Sequence, residues 1–328
     1  MPHTFAHPFF AAPLKRLMPR FLRTSGLVLG SMAPDFEYFV AMEPHRTVGH
    51  TFAGFFLLHL PLCAAAALVI ERLMLPTLPL LLPSAGGLDR FAAERLRMRR
   101  LAKPGDWLAF AVSLFIGFLT HLFMDGWTHG NTAFTNRFAW LHAPGVGGFV
   151  VYETLQFVFS AFGAGAIALY VFFRWRAWRS AREGRSGLAA ANPGEKRRFR
   201  LTVAGVAAFM LAAKAAVDPP GWLPGAAVVA PFSALAAGWT IAALMRHRPW
   251  AAWAALAALP AVMACYVWAE SFVWQMFRGA AVRPLREQLL TAGWIAAVWG
   301  VSLIAAGCAF AARPRAPRET FHNNVRSV

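Results

Sequence analysis

The chain has 328 residues, 58% of them hydrophobic and only 14% charged, and its mean hydropathy is +0.47. A soluble domain carries about a quarter charged residues, so composition excludes one and predicts an all-α, polytopic integral membrane helix bundle of seven or eight spans. The formal net charge of +17 does not point to nucleic acid here, because the basic residues gather in loops between apolar runs, where they meet cytoplasm and anionic lipid.

In chain order, residues 4–19 form a short amphipathic or half-membrane stretch. It is not a signal peptide, since its basic residues follow the apolar part and no small-residue cleavage site ends it. Next comes SGLVLGSMAPDFEYFVAM (25–42), too broken for an ordinary span. Together, 4–19 and 25–34 read as a re-entrant hairpin with Lys15, Arg16, Arg20 and Arg23 at its inner tip, which returns His7 to the outer face. Pro34 opens a helix and places Asp35 and Glu37 in its first turn. Acids there complement the helix dipole, but a carboxylate at membrane depth is costly and usually has a partner.

HRTVGHT (45–51) brings His45 and His50 together across a turn, with Arg46 between them. Such residues are ordinary at an interface, and two imidazoles joined by a turn also suit a borderline metal. Spans are predicted at 51–70, 106–124, 149–173, 201–217, 222–244, 250–272 and 289–311. The second of them runs into HLFMDGWTHG (121–130), in which His121, Asp125 and His129 recur every four residues and share one helix face. A satisfied His–Asp pair between helices would explain two of them; a metal grip would explain all three.

Basic residues set the orientation. Seven lie in 71–105 and nine in 174–200; Arg246 and Arg248 mark the short 245–249 turn. The loops between are poor in them, except 273–288, with Arg278, Arg283 and Arg286. The positive-inside rule then puts the C-terminus in the cytoplasm of a bacterial inner membrane and the His/Asp motifs at the non-cytoplasmic face. Eight of the ten histidines fall in the first 142 residues. The chain therefore divides into a His/Asp-rich membrane region (1–145), supporting helices (146–312) and a basic tail (313–328). Cys63, Cys265 and Cys308 sit in apolar stretches without metal spacing. His59, mid-span, reads as a hydrogen bonder between helices, Glu153 as a support for the site or a helix cap, His142 and His247 as surface groups, and Trp222, Trp250 and Trp274 as interface anchors.

Taken together, the imidazole and carboxylate groups of His45, His50, His121, His129, Asp35, Glu37 and Asp125 suit zinc, manganese or iron, and their number suffices for one or two ions. A lipid bilayer, with anionic lipid at the basic loops, is the partner composition implies; the oligomeric state is left open.

At these motifs the sequence resembles a family of bacterial membrane proteins known as domain of unknown function 4184, through PHTFAHPFFAAPLKRL, GSMAPDFEYF, PHRTVGH and HLFMDGWTHG. The order of motifs is also distantly similar to that of membrane-bound metal-dependent hydrolases, in which an N-terminal His precedes PDIDH, HRGxTH and HxxxDxxTxxG. That likeness implies a divalent-metal hydrolase, zinc foremost, with His7, Asp35, His45, His50, His121, Asp125 and His129 as ligands and Asp125, Glu37 and Arg46 in catalysis. The sequence departs from the pattern at Glu37, which stands for the second acid of PDIDH, at Tyr38, where its His would stand, at the interior of HRTVGH, and at Asn131. The expected function is hydrolysis of a lipid or lipid-linked (phospho)ester. The alternatives are a non-catalytic scaffold, whose His and Asp side chains would meet in separate pairs, and an ion- or proton-linked transporter built on Lys214, Glu270 and Asp125.

Overall fold

A computed structural model describes residues 4–96, 100–181, 192–218, 223–279 and 281–312. The predicted 313–328 tail and Trp222 lie outside them. Among the described residues there are helices and no strands. Seven helices are long and apolar enough to cross a membrane: Phe52–Leu81, Pro104–Thr128, Val151–Ser180, Pro193–Val217, Ala226–Met245, Pro249–Met276 and Arg283–Ala311. The fold is that of a multi-pass membrane protein.

Most helices outrun the apolar spans read from sequence. Pro193–Val217 begins eight residues before the predicted 201, and Phe52–Leu81 continues well past 70. Hydropathy marks only the stretch that meets hydrocarbon, while the helical hydrogen-bond ladder runs on into the polar region. In Phe52–Leu81 two widened, π-type turns, Phe55–His59 and Ile70–Met74, take up irregularities along the helix. Beyond the predicted end of that span, Glu71 accepts a bond from the Leu101 amide and Arg72 lies over the Phe310 ring.

The N-terminal segment folds back on itself. Short helical pieces over Thr4–Arg16 run down one side and Thr24–Met32 returns. Arg23, at the tip, pairs with Asp106 at the start of the Pro104–Thr128 helix, and its amide donates to Ser113 Oγ (2.7 Å). From there Thr24–Met32 climbs parallel to that helix until the Ser31 carbonyl meets His121. The hairpin thus spans from the basic end of the bundle to the His/Asp end, and His7 comes back beside Asp35.

What lets two helices lie so close is glycine. Gly26 and Gly30 form a small-xxx-small face. A Cβ on Gly30 would stand 2.0 Å from the Leu114 carbonyl oxygen, and one on Gly117 would stand 2.4 Å from that of Leu27. Phe110, Leu114 and Phe118 pack with Leu29, Ala33 and Phe55 into the core beneath the site. A second core, of Leu58, Leu62, Tyr266, Trp294 and Val298, joins the C-terminal helices to it. Val151–Ser180 is the most peripheral span. Phe157, Phe162, Leu169, Tyr170 and Phe173 along it are exposed, which suits a surface turned to lipid.

Candidate metal centre

The helix that carries Asp35 is broken where the sequence places Pro34. Thr24–Met32 passes through a tight 3₁₀ turn, Ala33–Asp35, into Phe36–Ala41. Asp35 is therefore buried at a joint in the backbone and turned towards the Pro104–Thr128 helix. Its Oδ2 accepts a bond from Thr4 Oγ1 (2.6 Å), which closes the hairpin. Its Oδ1 is buried with no hydrogen-bond partner.

His121 is fully buried one turn below Asp125. Its Nδ1 lies 2.8 Å from the Ser31 carbonyl. A carbonyl only accepts, so Nδ1 carries a proton and Nε2 is the nitrogen turned to the cluster. That Nε2 has no partner in hydrogen-bond geometry. It faces Asp125 Oδ2 at 3.2 Å and Asp35 Oδ1 at 3.8 Å. His50 Nε2 comes in from the 45–51 loop, 3.5 Å from the same Asp125 oxygen and 3.8 Å from the same Asp35 oxygen. Each of these two nitrogens thus faces both oxygens.

These separations are mostly too long for hydrogen bonds. They match a different arrangement: two atoms each about 2.0–2.1 Å from a tetrahedral ion stand about 3.3 Å apart. Ligand atoms of His50, His121 and Asp125 all lie within 4.8 Å of one another, as do those of His7, Asp35 and His121.

His7 stacks on His121, with ring centres 4.1 Å apart, and points Nε2 at Asp125 Oδ1 (3.9 Å). His7 Nδ1 is buried without a hydrogen-bond partner. Asp35 Oδ1, too, is buried without a partner. An unpaired carboxylate is costly there, and a cation would supply what it lacks. His129 ends the helix: its backbone is extended, yet its Nδ1 returns to within 3.5 Å of Asp125 Oδ1.

Three residues expected at the site lie elsewhere. Glu37 faces away from the cluster and organises the 45–51 loop. Its carboxylate accepts bonds from the Thr47 amide and hydroxyl, from the Gly49 amide (2.9 Å) and from Trp294 Nε1 (2.8 Å). The reason is angular: residues two apart on a helix point about 200° from each other, so Asp35 and Glu37 cannot share one centre. A Cβ on Gly49 would meet Glu37 Oε2 at 2.2 Å, so the loop can close down only on glycine. His45 packs on Trp294, with ring centres 4.1 Å apart, and its Nε2 is not turned to the cluster. Arg46 is exposed on the same loop. His59 Nε2 donates to the Gly49 carbonyl (2.7 Å), and Glu153 accepts from the Val150 amide as a helix cap.

Glu37 thus holds His50 in place from a distance. Glu37→Gln puts an amide hydrogen where donors converge, and its expected effect is a zinc affinity lower by roughly 10–100-fold, as when an outer support of a metal ligand is lost, with the helix content unchanged. Zinc titration beside circular dichroism measures both. An unchanged affinity would remove Glu37 from any role at the site.

Composition and spacing did not single out Thr4, Ser31, Gln156 or Trp294. Trp294 alone carried a signal, a tryptophan in the middle of an apolar span rather than at its end. Beside the cluster opens a small cleft. Its polar wall includes His7, Asp35, Asp125, His129, Gln156 and Ser160, and its apolar wall Phe10, Met124 and Phe159.

Neither the curated proteins nor the solved structures include a match to the chain, and no comparison supports the expected likeness to metal-dependent hydrolases. The family model described as domain of unknown function (DUF4184) matches residues 1–245, which hold the hairpin, the cluster and five of the seven long helices. The chain is a member of that family.

Proposed function

We propose that the chain is a membrane-embedded, metal-dependent hydrolase acting on a lipid or lipid-linked phosphoester at the non-cytoplasmic face, with zinc as its metal. The observation that carries this is two triads of ligand atoms that share His121, one completed by His7 and Asp35 and the other by His50 and Asp125, with Asp35 Oδ1 and His121 Nε2 buried without a hydrogen-bond partner. A scaffold would pair such groups one to one. Here each nitrogen faces two oxygens and each oxygen two nitrogens, which favours an ion as the common partner.

A bound divalent ion lowers the pKa of a coordinated water towards neutrality and polarises a phosphoryl oxygen. The protein's part is to bind, orient and shield. Ser31 fixes the His121 ring, and Thr4 fixes one Asp35 oxygen so that the other faces inward. Asp125 stands at the cleft wall, within reach of a proton released from an attacking water. Phe10, Met124 and Phe159 give the cleft an apolar side that suits an acyl or prenyl chain, and the span behind it is the one most open to lipid.

The test is turnover. Purified protein in vesicles made from a bacterial total-lipid extract is expected to release water-soluble phosphate or headgroup from lipid. The release should stop with a chelator, return with zinc, and be absent in Asp125→Asn. Zinc-loaded protein that leaves every lipid of the extract intact would contradict the hydrolase reading.

A further inference from the structure

We propose a second ion at the same centre, bridged to the first by Asp125; the proposal rests on the metal reading above and adds to it a cleft-facing, exchangeable site. The two oxygens of Asp125 look opposite ways. Oδ2 faces His50 and His121, at 3.5 and 3.2 Å. Oδ1 faces His7 and His129, at 3.9 and 3.5 Å. A carboxylate so placed between two pairs of imidazoles is arranged as a bridge, and bridged ions in two-metal sites stand about 3.5–4 Å apart.

The two halves differ in surroundings. The inner half is closed by the hairpin, with Asp35 and His121 both buried. The outer half opens on the cleft, which both His7 and His129 line. Asp125 Oδ1, with His129 at 3.5 Å and His7 at 3.9 Å, describes a reactive position, since the remaining coordination places are left to water and substrate oxygen. The closed half describes the tighter position.

His129 also has its own support. Its Nε2 lies 3.0 Å from the side-chain amide of Gln156, on the peripheral Val151–Ser180 helix. The amide presents either its nitrogen or its oxygen, and with the oxygen turned inward it accepts Nε2–H, which leaves Nδ1, here 3.1 Å from the Thr128 hydroxyl, as the nitrogen to meet an ion. Gln156 is thereby a positioning residue for the second ion, and it ties the lipid-facing helix to the site.

The experiment is a zinc titration of the full chain, purified in detergent and stripped with a chelator. Wild type is expected to bind two equivalents of zinc, the second more weakly. His129→Ala should keep one. Gln156→Ala should weaken the second equivalent by roughly 10–100-fold and leave the first unchanged, while Gln156→Glu, which restores an acceptor, should recover it. Should His129→Ala fail to fold, the spectrum of cobalt(II)-loaded wild type reads the pair directly: spin coupling through the bridge is expected, and two uncoupled ions or a single one would overturn the proposal. One equivalent in both wild type and His129→Ala overturns the second ion and leaves the single-ion centre standing. No zinc in wild type overturns both.

Discussion

Purified His121→Ala protein is expected to hold no zinc under conditions in which wild type keeps it through dialysis. His121 is the one residue shared by both groups of converging ligand atoms. It is also the one whose ring is locked, by the bond from Nδ1 to the Ser31 carbonyl. Truncation removes a ligand from both groups and leaves Asp35 Oδ1 and Asp125 Oδ2 with His50 as their remaining shared imidazole. The loss should exceed the roughly 10–100-fold that follows from removing an outer support. Elemental analysis beside a thermal melt separates the effect from unfolding. A variant that folds and retains zinc at the wild-type level would take His121 out of the centre.

Gly30→Leu is expected to prevent the hairpin from docking and, with it, to abolish zinc binding although residue 30 touches no ligand. Even a Cβ at this position would lie 2.0 Å from the Leu114 carbonyl oxygen. The obstacle is backbone, which cannot rotate aside as a side chain can. Overpacking costs about 1–3 kcal/mol where side chains can adjust, so about 3 kcal/mol or more is expected here. Asp35 and His7 both ride on the hairpin, so separating it from Pro104–Thr128 removes two groups from the cluster at once. Gly205→Ala is the matched control: nothing lies within 4 Å of its Cβ position, and alanine favours a helix over glycine by about 1 kcal/mol. Detergent melts and zinc content of the two variants measure the contrast. A Gly30→Leu protein with an unaltered melt and full zinc would contradict the close helix contact.

The spans were legible because twenty apolar residues between basic loops have few other uses. The pairing of His121 with Asp125 was legible from their spacing alone, since i and i+4 share a helix face. The same rule could have separated Asp35 from Glu37, which stand two apart, and the structure does separate them. His45 was harder to place: nothing in HRTVGH says which imidazole turns inward. The answer depends on Trp294, almost 250 residues later, which takes both His45 and Glu37 as neighbours. The hairpin could be inferred from charge, with its basic tip. Its depth could not, because that is fixed by the fit of Gly26 and Gly30 against Gly117 and by the Arg23–Asp106 pair. Thr4 and Ser31 were silent in the sequence for the same reason. Each acts through one hydrogen bond to a residue distant along the chain, and no local pattern encodes such a bond.

The account stands or falls on whether imidazole and carboxylate groups meet at a metal. X-ray absorption of the zinc-loaded, full-length protein measures that most directly. The predicted result is a first shell of nitrogen and oxygen at about 2.0–2.1 Å with the outer scattering of coordinated imidazoles and no sulfur at about 2.3 Å. Zinc that appears only as a hydrated ion without imidazole scattering, or that is held by sulfur, would contradict the centre built from His50, His121, Asp35 and Asp125.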